Sequence, residues 1–131
     1  MEHFAEAAPE LLAAFGIDYC DYVQAGKGGF DFDYCDVISD KLVALFELGD
    51  VALKARVLVE LLVLGTSHNR WLVEHRFMRL ADLALSENVA KRFITEASVQ
   101  NVDLAENVAH LERSISVVRG NLHPIIQQAL K

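Results

Sequence analysis

Cysteine, proline and glycine are scarce, with 2, 2 and 7 residues in a chain of 131. So few turn-formers exclude a collagen-like repeat or a loop-rich small scaffold, and a hydrophobic content of 53% excludes a disordered chain. Two cysteines are too few for a disulfide framework, and a chain of this length can build one core without staples. Cys20 and Cys35 therefore read as reduced thiols of a cytoplasmic protein, with a bond between them left open. Long apolar runs are missing too. The longest, Val57 to Leu64, is interrupted by Glu60 and falls far short of the roughly 20 residues that span a bilayer, so it reads as a core helix. The opening Met1-Glu2-His3-Phe4-Ala5-Glu6 is acidic where an export signal is basic, and no apolar stretch follows it. No membrane partner is expected.

Basic charge is also in short supply: 12 Lys and Arg stand against 19 Asp and Glu, a net charge of -7. A domain with that balance repels phosphate backbones, so nucleic-acid binding is disfavoured. The excess is lopsided. Up to Thr66 there are 4 basic and 12 acidic residues, and beyond it 8 basic and 7 acidic. A one-signed half either steers a basic partner or simply keeps the chain soluble.

Catalytic signatures are absent from the sequence: there is no P-loop, dinucleotide fingerprint, nucleophile elbow or H-E-x-x-H helix. Gly26-Lys27-Gly28-Gly29 lacks the first glycine of a phosphate loop and the hydroxyl residue after its lysine. Asp31, Asp33 and Asp36 crowd together but fail the calcium-loop spacing, and the two cysteines form no C-x-x-C pair for zinc. A non-enzymatic protein without metal or cofactor is the expectation. Glu60 in the apolar segment finds Arg56 one turn earlier, a spacing that predicts a structural ion pair.

What the chain does have is helical periodicity. A short helix is predicted from Pro9 to Phe15, followed by an irregular Gly- and Asp-rich loop around 17–32. Tyr34, Ile38, Leu42, Leu45 and Phe46 then trace a helix that Gly49 ends, and Asp50 caps a central helix from Val51 to Leu64. Gly65 to Asn69 reads as a turn. Val73, Phe77, Leu80 and Ala84 mark the buried stripe of the next helix, and Val89, Phe93 and Ala97 that of a helix capped by Ser86. Asp103 and Glu106 form a capping box before a stripe of Leu104, Val108, Leu111, Ile115 and Val118. Pro124 opens a terminal helix over Ile125 to Leu130. The prediction is an all-α single domain, an antiparallel helical bundle or short helical array of six to seven helices.

Two constellations suit protein recognition. Asp18-Tyr19-Cys20-Asp21 recurs as Asp33-Tyr34-Cys35-Asp36 on either side of the glycine loop. With Phe32, Asp31 and Asp40 this stretch interleaves aromatics, which anchor interfaces, with carboxylates, which pair with a partner's Arg and Lys. The plainer reading is that the aromatics fill the core and the aspartates cap helices. Farther on, His68, Trp71, His75, Arg79 and Asp82 share one helix face, rotated away from the Val73 and Phe77 stripe. Either that face is a contact surface, or the sole tryptophan lies beneath the N-terminal helix; the second is the plainer alternative.

The stretch Leu42-Val43-Ala44-Leu45-Phe46-Glu47-Leu48-Gly49-Asp50, followed by an apolar helix carrying Val59-Glu60-Leu61-Leu62, resembles small helical bacterial immunity proteins. These accompany contact-dependent growth-inhibition toxins and related polymorphic toxins. The resemblance covers about residues 33–84 and is densest at Phe46 to Asp50. It implies a cytosolic antidote that binds a delivered toxin domain, often a basic nuclease, and blocks its active site or substrate surface. Such families share no invariant binding motif, so the expected contact residues come from this chain's own pattern. They are Asp31, Asp33, Asp36 and Asp40 for steering, Phe32 and Tyr34 as anchors, and Trp71, His75 and Arg79 as a second surface. The competing expectation is a helical adaptor unrelated to toxins. Oligomeric state is open.

Overall fold

The computed structural model describes residues 32–131, with side chains from residue 36 onward except that of His68. The helix expected at Pro9–Phe15, the glycine loop, Cys20 and Asp31 lie outside the described residues, as do the side chains of Phe32, Asp33, Tyr34 and Cys35. Helix α1, Phe32–Leu48, buries Ile38, Leu42, Leu45 and Phe46, the residues its period marks. Gly49 breaks it, and the Asp50 carboxylate accepts the Leu53 N–H at 2.9 Å to start α2, Val51–His68. A side-chain oxygen at that position satisfies an amide the first turn leaves unpaired.

Helix α2 is the axis of the fold. Ala55, Val57, Leu58, Val59, Leu61, Leu62 and Leu64 are all buried, because a helix that is apolar nearly all round must be surrounded. Around it pack α1, α3 (Trp71–Leu80), α4 (Glu87–Val99) and α5 (Leu104–Ser114). The last helix, α6 (Pro124–Ala129), leans on α4 and buries Ile126. Phe77 and Phe93, both fully buried, meet with ring centroids 5.8 Å apart and join α3 to α4. The fold is all-α, with six α-helices among the described residues. Among those residues no helix is long and apolar enough to cross a membrane.

Several boundaries differ from the sequence reading. The segment Gly65 to His68 is not a turn: α2 runs through it, and Asn69, in the left-handed region at φ 52°, closes the helix by donating its N–H to the Gly65 carbonyl. Gly65 is needed for close approach instead, since a Cβ there would stand 3.0 Å from Glu74 Cγ and 3.1 Å from the Glu74 backbone nitrogen. Helix α3 stops at Leu80, so Ala84 falls beyond its stripe and is exposed. There the Asp82 carboxylate accepts the Ala84 N–H at 2.9 Å, and Asp82 bridges to Leu122. Ser86 occupies its cap position without a side-chain hydrogen bond. Asp103 caps α5 by accepting the Glu106 N–H at 3.0 Å, as the spacing predicts. That helix ends at Ser114, short of Val118, because Ile115 turns to an extended conformation. Pro124 takes the first turn of α6, where the missing N–H is harmless, and His123 Nδ1 accepts the Ile125 N–H.

The expected Arg56 and Glu60 pair is not formed. Arg56 reaches across to α4, with its Nε 3.6 Å from Glu96 Oε2, and Arg92 approaches the other oxygen of Glu96 at 3.1 Å. Glu96 is almost buried, and two guanidinium groups offset the cost of holding its charge out of water.

Candidate partner-binding surface

Two of the aspartates expected to steer a partner are described, and both face arginines of this chain. Asp36 receives Arg70 in two-point fashion, Nε to Oδ1 at 3.2 Å and Nη2 to Oδ2. Its carboxylate is three-quarters or more buried and is held by geometry that favours guanidinium. Asp40 lies 3.7 Å from Arg76 but keeps 77% of its side chain exposed. Arg76 also donates from Nη1 to the Asp36 carbonyl and to the fully buried Ser39 hydroxyl, so it bolts α3 onto α1. The acidic surplus is mostly elsewhere: residues 1–31 carry six Asp and Glu against Lys27 alone, and residues 32–131 carry 13 acidic and 11 basic residues.

Trp71, His75 and Arg79, the second expected group, lie on one face of α3. Trp71 opens α3 with 59% of its area exposed, and its ring meets that of His75 at a tilt of 49°, with centroids 4.0 Å apart. Arg79, two turns from Trp71, is exposed and makes no ion pair or hydrogen bond among the described residues. The inward side of the same helix explains this display. Val73, Glu74, Phe77 and Met78 are buried, which leaves Trp71, His75 and Arg79 on the outer face.

Beside this face runs an open groove of about 490 Å³, bordered by His75, Met78, Arg79, Leu83, Ile115 and Val117. Leu83 and Val117 on its rim are 64% and 57% exposed. With Trp71 they make a grouping of large apolar side chains that solvent alone does not favour. Leu83 was missed by the sequence reading: it lies beyond the end of α3 at Leu80, where helical spacing no longer says which way a side chain faces. Val117 had no signal either, since it comes from the irregular segment after α5 and is brought to the groove only by tertiary folding. The arrangement offers an aromatic anchor, an apolar wall and a free guanidinium.

A third side of α3 holds an unusual charge. Glu74 is 1% exposed, and neither carboxylate oxygen has a well-formed hydrogen bond among the described residues. Burial pushes its carboxyl above the ordinary value, and Ser114 at the end of α5 only partly offsets this. Compared with family models, curated proteins and solved structures, the chain matches none.

Proposed function

We propose that this chain is an immunity protein, a stoichiometric antidote that occupies a cognate toxin domain and thereby blocks it, without chemistry of its own. The observation that supports a binding role is the exposed Trp71, in tilted contact with His75 beside the unpaired Arg79 and the Leu83–Val117 groove. Trp and Arg are the residue types that most often dominate interface energies, and a desolvated aromatic next to an apolar wall is how such anchors work. The toxin as partner rests on the resemblance of Leu42 to Asp50 and the helix after it to immunity proteins.

In this reading the net charge of -7 draws in a basic toxin domain, and the α3 face grips it. Asp40 is well placed for steering because its carboxylate stays in solvent. Asp36 contributes less, since Arg70 already cancels its charge. Asp31, Asp33, Phe32 and Tyr34 keep their proposed roles on the sequence pattern alone. The test is co-expression with the protein encoded immediately upstream of this chain's gene. Rescue of growth and 1:1 co-purification, both weakened by Trp71→Ala, are expected; a chain that neither rescues nor co-purifies overturns the reading.

A further inference from the structure

Among the described arginines, most have a carboxylate: Arg56 and Arg92 share Glu96, Arg70 holds Asp36, Arg76 approaches Asp40, and Arg119 holds Glu112. Arg79 and Arg113 form no ion pair among the described residues. Arg79 is the one on the α3 face: it is exposed and stands where three adjoining grooves meet, the first two of them also lined by Asp82. The first is the apolar groove of Leu83 and Val117; the second runs toward Phe46 and Lys54, whose ammonium sits 5.2 Å over the Phe46 ring. The third leads to Asp40 and Glu47.

Two other polar side chains around the first groove hold backbone groups of their own chain. Asp82 accepts the Ala84 N–H and Asn121 donates to the Val117 carbonyl. The Arg79 guanidinium fork, without a hydrogen bond among the described residues, faces the groove between the Trp71–His75 ring pair and two exposed aliphatic side chains. A carboxylate is the acceptor that such a fork binds in two-point fashion, and an apolar side chain next to it would cover Leu83 and Val117.

We infer that Arg79 selects the partner's contact segment, which carries an Asp or Glu beside a large apolar side chain. The inference rests on the proposed binding role of this face and deepens it. It sits beside the acidic net charge without conflict, because long-range attraction is set by total charge and register by the groups that touch. A basic toxin domain that meets this chain is therefore expected to present a local acidic-apolar spot to α3.

The test is selection of a random-peptide display library on the full-length chain, followed by titration of the enriched peptides. Trp71 is the sole tryptophan, so its emission reports occupancy directly. Enriched peptides should share a carboxylate next to Leu, Ile or Phe and shift Trp71 emission. They should bind Arg79→Glu about tenfold or more weakly, with Arg79→Lys in between because it keeps the charge but loses the fork. Basic peptides, peptides indifferent to Arg79→Glu, or no enrichment that touches Trp71 each overturn the inference. Acidic-apolar binders together with failed growth rescue would instead remove the antidote reading and leave Arg79's selectivity standing.

Discussion

Helix α3 uses the same residue type in opposite ways on its two sides. Arg76 points to α1, where it bonds the Asp36 carbonyl and the Ser39 hydroxyl; Arg79, three residues on, points to solvent with nothing to hold. One arginine joins two helices and the other is available to a second molecule. The contrast teaches that a charge in the sequence is not a charge at the surface. Asp36 and Arg70 count as two ionised residues in the composition, yet at close range their fields nearly cancel.

The sharpest way to break the contrast is to remove each arginine in turn. Arg76→Ala should cost about 2 kcal/mol of unfolding free energy, because part-buried hydrogen bonds from a charged donor are lost along the α1–α3 seam. Urea unfolding followed by far-ultraviolet dichroism measures it. If Arg76→Ala cost no more than Arg79→Ala, the two sides of α3 would not differ in the way described.

Gly65 offers the next effect. Glycine to alanine inside a helix normally stabilises by about 1 kcal/mol. Here the new methyl would meet the Glu74 backbone nitrogen at 3.1 Å, and backbone on a packed helix gives little. Gly65→Ala is expected to reverse the usual sign and destabilise by about 1 kcal/mol, a typical overpacking cost. A raised urea midpoint would mean that α2 and α3 are looser than they look.

These two sites also mark what could be read from the sequence. The stripes of α1, α2 and α4 and the caps at Asp50, Asp103 and Pro124 were legible, because each depends on residues within one helical turn. Gly65 was read as a stop signal, since a close approach to Glu74 depends on a helix that has yet to fold against it. Arg56 was assigned to Glu60 by local spacing, and Glu96, forty residues away, took it instead. The Trp71 face was legible by rotation from the buried stripe. Its Val117 wall was not, because the segment that supplies it has no period.

Glu74 tests the buried side of the same helix through pH. Its carboxyl is raised in the folded chain, chiefly by burial, so the folded state holds the proton more tightly than the unfolded one. The stabilisation is complete below the ordinary carboxylate value and is lost as pH rises through the raised one. Glu74→Gln has no proton to lose. Its unfolding free energy relative to the parent should therefore grow from about pH 4.5 upward and then level off. Urea midpoints of both proteins across that range give the difference directly, and a gap that stays constant with pH would show that Glu74 is solvated in solution.

The smallest effect on stability belongs to the open face, and its smallness is the point. Arg79 touches no carboxylate and Trp71 keeps 59% of its area in water, so Arg79→Glu should change the unfolding free energy by no more than about 0.5 kcal/mol. Trp71→Ala should cost little more than the contact with His75, about 1 kcal/mol. Combining Arg79→Glu with Arg76→Ala should give a simple sum, because one side chain lies in the α1 seam and the other is held by nothing within the chain. A coupling well above 0.5 kcal/mol would mean that Arg79 is tied into the seam after all. Its place on the outer face would then be a structural bond waiting for the right geometry, and the open side of α3 would lose its unpaired cation.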